Sequence, residues 1–161
     1  ISGVILSSPM LKIIDELKPP IIIQKLLIFL ANYIPYAALC PVEDLDNICF
    51  KRPDITKRAK SNILGYKKWL RLGTGVGFLK ITEKISCHME LFTHPVLIMH
   101  GGADKITCSR ISEEFYSRCT SLDKTLKIYQ DAWHGLLLGE YSPLAEEIQN
   151  DFISWLDLHS M

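Results

Sequence analysis

Between residues 95 and 135 the chain reads as strand, helix, strand, with a carboxylate just past the first strand and an imidazole just past the second. The first strand is the unbroken apolar run Val96-Leu97-Ile98-Met99-His100, which ends in Gly101-Gly102-Ala103-Asp104. The second, Leu126-Lys127-Ile128-Tyr129, ends in Asp131-Ala132-Trp133-His134-Gly135. An apolar run without alternation suits a parallel strand covered on both faces, and parallel neighbours need a crossover, usually a helix. Adjacent strands lie about 4.8 Å apart, and the loops after parallel strands open on one edge of the sheet. Asp104 can then reach His134 although the two are far apart in sequence.

The helix between these strands is expected over 109–121, with Ser109 or Thr107 as its cap and Ile111, Phe115 and Cys119 on one face. Ser112, Glu113 and Glu114 near its start suit the positive end of the helix dipole. After His134 a loop is expected over 135–139. Ser142-Pro143 then opens a last helix, which packs Leu144, Ile148, Phe152, Trp155 and Leu156 on the sheet.

Upstream, Gly3-Val4-Ile5-Leu6-Ser7 is a third strand of the same buried type, already under way at Ile1 and ended by Ser8-Pro9-Met10. Residues 11–92 have a different character. Pro19-Pro20 stiffens the chain before a helix over 21–34, whose apolar positions cover nearly all faces and so call for burial or a greasy contact. Pro35, Pro41 and Pro53 break the chain repeatedly, 44–58 is charged, and 64–72 carries Tyr66 and Trp69 among Lys67, Lys68 and Arg71. Gly73, Gly75 and Gly77 make 73–77 look loose, and a helix is expected over 78–88. About eighty residues far exceed a simple crossover between parallel strands and match a lid or cap. The expected organisation is core over 1–10, helical cap over 11–92 and core again over 93–161.

Composition narrows the functional classes. With 161 residues, of which 48% are apolar, the chain can bury a real core. Eighteen basic and eighteen acidic residues cancel, so no electrostatic case exists for nucleic acid. Five cysteines without Cys-x-x-Cys spacing read as free thiols in a reducing compartment, and no His/Cys/Asp cluster has metal-ligand spacing. The run over 21–34 is interrupted by Gln24, Lys25 and Asn32 and is too short to cross a bilayer, which needs roughly 20 apolar residues.

An acid after one parallel strand and a histidine after the next are two members of a hydrolytic triad, in the chain order nucleophile, acid, histidine of α/β-hydrolases. At these residues the chain resembles a monoacylglycerol lipase-like α/β-hydrolase, close to the plant caffeoylshikimate esterase and lysophospholipase-like group with a serine aminopeptidase S33-type domain. The likeness is carried by Gly101-Gly102-Ala103-Asp104-Lys105-Ile106-Thr107, Ser121-Leu122-Asp123-Lys124-Thr125-Leu126-Lys127-Ile128-Tyr129, Trp133-His134-Gly135-Leu136-Leu137 and Gly139-Glu140. Ser8-Pro9-Met10 and Lys18-Pro19-Pro20 extend it towards the start of the chain. The resemblance implies the C-terminal part of an α/β-hydrolase fold: parallel strands flanked by helices, with an inserted helical cap. It implies Asp104 as acid, His134 as base, no cofactor, and a serine hydrolase of acyl esters, lipid or phenolic.

Two features depart from that family. No Gly-x-Ser-x-Gly occurs in the chain, so the nucleophile and the oxyanion loop are expected upstream of Ile1, and this stretch alone is expected to be inactive. His100-Gly101-Gly102 imitates an oxyanion motif but is read as a tight turn that lets Asp104 approach. Ser7 and Ser8 lack the glycines of a nucleophile elbow and are read as loop or pocket lining. Asp131 is the rival acid, and His88, His94, His100 and His159 show no partner pattern and are read as structural or exposed. The 21–34 run serves either as cap core or as the wall of an acyl channel, and peripheral membrane contact through the cap is compatible with it. A cytoplasmic, membrane-associated protein fits these readings. Alternative readings are an inactive, partner-binding remnant of a hydrolase, or a related chemistry such as epoxide or thioester hydrolysis.

Overall fold

The structure is a computed structural model that describes residues 2–15, 18–41, 44–66 and 68–160. Ile1, where the first strand is expected to be under way, and Lys67 of the expected surface piece lie outside the described residues.

Three parallel strands carry the fold: β1 (Val4–Ser7), β4 (Val96–Gly101) and β5 (Lys124–Tyr129), in the spatial order β1-β4-β5. Val4 stands opposite Val96 and Ser7 opposite Met99, while Val96 faces Lys124 and Gly101 faces Tyr129. Every residue of β4 is buried, because both faces of this central strand are covered. Val96 and Ile98 point into one cluster with Leu11, Met89, Ile111, Phe115 and Cys119. Leu97 and Met99 point the other way, against Tyr129, Ala132, Leu136, Ile148 and Trp155. Alternate residues thus serve opposite cores, which is why the strand reads as continuously apolar. Helix α5 (Ser109–Arg118) supplies Ile111 and Phe115 to the first core, and α7 (Leu144–His159) supplies Ile148 and Trp155 to the second. Between them, α6 (Leu136–Gly139) is one short helical turn where the sequence suggests a loop. The start of α5 departs from expectation too: the residue before it is Cys108, and no side chain caps its first turn.

Residues between β1 and β4 form α1 (Ile21–Ala31), β2 (Ala38–Cys40), α2 (Asp46–Cys49), α3 (Pro53–Ser61), β3 (Leu70–Arg71) and α4 (Leu72–Cys87). The two short strands pair antiparallel, an element the sequence reading does not anticipate. The glycine-rich 73–77 stretch is helical, the first turns of α4, and not a loose linker. Close packing explains the difference. The Gly73 amide donates to the Pro35 carbonyl at 2.9 Å, and a Cβ on Gly75 would stand 2.9 Å from Cys40 Sγ. The glycines let the helix approach 35–40 at backbone distance. Helix α1 has the apolar surface expected of it, but none of its residues is buried. Ile22 is 78% exposed and Phe29 57%.

Candidate active site

The parallel register brings the ends of β4 and β5 to one edge of the sheet, and the two loops that leave it meet there. After Gly101 the chain turns at once: Gly102 N donates to Tyr129 O at 2.8 Å, Ala103 N to Ala132 O at 3.0 Å, and Asp104 N to Gly101 O at 3.2 Å. A Cβ on Gly102 would lie 2.6 Å from Gln130 O, so this crossing of the β5 loop requires glycine. The turn delivers Asp104 to His134, whose Nδ1 lies 2.8 Å from Asp104 Oδ2. The Asp104 side chain is fully buried, whereas that of His134 is 27% exposed. Among the described residues, nothing hydrogen-bonds to His134 Nε2.

Asp104 is held from several directions. Its Oδ1 accepts the amides of Ile106 at 2.7 Å and Thr107 at 3.1 Å. Its Oδ2 accepts the Thr107 hydroxyl at 2.8 Å, in addition to His134. A second imidazole, His100, approaches the same oxygen with Nε2 at 3.3 Å. Burial alone would push the Asp104 carboxyl upward. The hydrogen bonds from His100, His134 and the amides of Ile106 and Thr107 outweigh it and hold the group well below the usual carboxylate range. The carboxylate therefore stays ionised and favours the Nδ1–H tautomer of His134, which leaves Nε2 as the ring's proton acceptor.

His100 corrects the sequence reading, which found no partner for it. It is fully buried, and its Nδ1 lies 2.7 Å from the Ser112 hydroxyl on α5. A carboxylate only accepts, so the Nε2 proton faces Asp104 and Ser112 donates to Nδ1. One signal for this was legible: a lone polar side chain in an otherwise apolar central strand has to be hydrogen-bonded. His159 also has a partner, Asp123 at 2.9 Å; His88 and His94 are exposed, with His88 Nδ1 2.8 Å from the Lys84 carbonyl.

Thr107 and Ser8 complete the cluster. The Thr107 hydroxyl sits 3.2 Å from His134 Nδ1, 3.2 Å from His100 Nε2 and 3.2 Å from the Ser8 carbonyl. Ser8 has φ of 44°, a left-handed conformation uncommon for serine, and is buried. Its hydroxyl donates to the His134 carbonyl at 3.0 Å. Ser8 thus braces the histidine loop from the end of β1. The rival acid, Asp131, is exposed, and it is Asp104 that meets the His134 ring. No group of three or more His, Cys, Asp or Glu side chains that could hold a metal occurs among the described residues.

Comparison with known proteins fits this geometry. The chain is 33% identical to caffeoylshikimate esterase of Arabidopsis thaliana over 159 residues, 97% of this chain and 47% of that protein. It is 41% identical over 66 residues to monoglyceride lipase of Saccharomyces cerevisiae, which covers 41% of this chain and 21% of that one. The chain thus spans about half the length of the plant relative. A monoacylglycerol lipase from Paleococcus ferrophilus superposes with a TM-score of 0.83 at 26% identity, over 99% of this chain and 60% of that one. A soluble variant of the Saccharomyces cerevisiae monoglyceride lipase does so with a TM-score of 0.79 at 25% identity, over 98% and 56%. The family described as serine aminopeptidase, S33, matches residues 1–141, and the chain belongs to this family of α/β-hydrolases.

Proposed function

We propose that the chain supplies the acid and the base of a serine hydrolase that cleaves acyl esters, and that the nucleophilic serine lies in sequence preceding Ile1. The observation that carries this reading is the 2.8 Å contact between a fully buried Asp104 carboxylate and a His134 ring with an accessible far side. In the intact enzyme the serine hydroxyl attacks the ester carbonyl while His134 Nε2 takes its proton. The imidazolium then protonates the departing alcohol, and a water activated by the same ring releases the acid. Asp104 orients the ring and stabilises its charged form. The reaction as written calls on no cofactor.

Residues 11–92 act in this reading as the cap over the active site. The exposed apolar side of α1, with Ile22, Leu26 and Phe29, suits contact with acyl chains or with the membrane that holds them. Such contact is peripheral in this reading; among the described residues, no helix is long and apolar enough to cross a membrane. Substrates are esters of monoacylglycerols, lysophospholipids or phenolic acids, met on the cytoplasmic side.

The test is turnover of a nitrophenyl ester and of a monoacylglycerol by the full-length protein. Replacing His134 with Ala or Asp104 with Asn should lower kcat by about 10⁴-fold. The 161-residue chain alone should show no turnover. Purified chain that hydrolyses the ester, and loses that activity on His134→Ala, would contradict the placement of the nucleophile.

A further inference from the structure

The segment that joins α2 to α3 grips the loop carrying His134. Gly135 N donates to Cys49 O at 2.8 Å, and Arg52 N donates to Gly139 O at 3.2 Å. Phe50 fills the space between these contacts, and a Cβ on Gly139 would stand 2.8 Å from its Cδ1. Lys51 reaches the same loop with its ammonium, which donates to the Asp131 carbonyl and lies 3.0 Å from Glu140 Oε2. Glu140 is the unusual partner. Its side chain is only 2% exposed, and its other oxygen accepts the Trp133 amide at 2.6 Å. One buried carboxylate therefore holds the residue preceding His134 with one oxygen and Lys51 with the other.

A buried carboxylate is costly to leave unpaired. Lifting residues 49–52 would strip Glu140 of its cation, and the loosened carboxylate would release the peptide next to His134. Seating residues 49–52 does the reverse. We propose that Glu140 is a positioning residue for His134 and that Lys51 makes its grip depend on the cap being seated. The His134 ring is then aligned on Asp104 only under a closed cap. This rests on the proposed function for its catalytic consequence, though not for its structural one.

Two readouts on the full-length protein test it. The first is the ¹⁵N-histidine spectrum, in which the His134 Nδ1 proton shared with Asp104 reports ring alignment, together with exchange of the Gly135 amide. The second is ester turnover. In Lys51→Met and Glu140→Ala the shared-proton signal should broaden or move, and Gly135 exchange should quicken by about tenfold or more. The kcat should fall by about 10- to 100-fold with KM nearly unchanged, since a displacement of about 1 Å suffices for such a loss. Lys51→Arg should restore both readouts. Glu140→Gln keeps an acceptor for the Trp133 amide and should show the same changes at smaller size, which guards against a variant that fails to fold. A His134 signal unchanged in Lys51→Met and Glu140→Gln overturns the proposal, as does a loss confined to KM. A wild-type protein without ester turnover would instead overturn the proposed function, and the spectrum and exchange would still decide the role of Glu140.

Discussion

The sheet and its two covering helices differ from residues 11–92 in how they treat apolar surface. In β4 all six residues are buried, and Ile98 is fully inaccessible. In α1, an equally apolar segment, none of the eleven residues is buried. The same residue types thus do opposite work: in the core they hold the sheet to its helices, and in α1 they leave a face open. Burying an aliphatic side chain contributes roughly 1.5–3 kcal/mol. The core has collected that contribution from within the chain, whereas the exposed side of α1 gains it only by meeting something else. Polar groups divide likewise. The core buries His100 and Ser112 and the carboxylate of Asp104, linked through Thr107 to a partly exposed His134, while Asp44 and Asp54 of the inserted segment are exposed.

The sharpest way to break this contrast is to truncate one isoleucine in each region. Ile98→Ala should lower unfolding free energy by about 2–5 kcal/mol in urea titration, through the cavity it leaves. Ile22→Ala should stay within about 0.5 kcal/mol. Equal losses would mean that α1 is packed in solution. Next in size is the polar cluster. Ser112→Ala leaves His100 Nδ1 buried without its donor and should cost about 1–3 kcal/mol by the same measurement.

Partitioning to lipid sharpens the other side of the comparison. Replacing Ile22 and Phe29 with Ser should reduce binding of the full-length protein to phosphatidylcholine vesicles about tenfold, at unchanged melting temperature. A fall in melting temperature without a change in binding would assign these side chains to the fold and not to an external surface.

Acid should distinguish the two regions more gently. The Asp104 carboxyl is held below its usual range in the folded chain, so its contribution is complete above the unfolded value of about 4. It is lost progressively as pH falls towards the folded value, because the unfolded chain binds the proton first. The wild type should therefore lose stability below pH ~4 more steeply than Asp104→Asn. Asp54→Asn should leave that slope nearly unaltered, since Asp54 is lowered chiefly by its exposed hydrogen bond with Arg52. Parallel slopes for wild type and Asp104→Asn would show that other carboxylates govern acid unfolding.

Much of the site was legible because its signals are local. The apolar run of 96–99 and the turn Gly101-Gly102 foretell a buried strand that stops abruptly, and Asp104 and His134 follow their strands at short spacing. The other partners of Asp104 were not legible, although Thr107 is only three residues away and His100 four. Nothing in their spacing says that one carboxylate oxygen serves two imidazoles and a hydroxyl. Ser8 and Glu140 were read as a strand end and a family match, and their grip on the 133–134 backbone depends on contacts between separate elements.

The amino-acid sequence alone pointed to the parallel α/β class, to a long insertion between two of its strands and to His134 as the imidazole past the last strand. Those follow from periodicity and turn chemistry, which act over a few residues. Tertiary structure decided that Asp104 and not Asp131 faces the imidazole, and that glycines 73 and 75 build a helix. It also decided that α1 keeps its apolar face outward. Each of these turns on which segments pack together in the assembled chain, which no local pattern fixes.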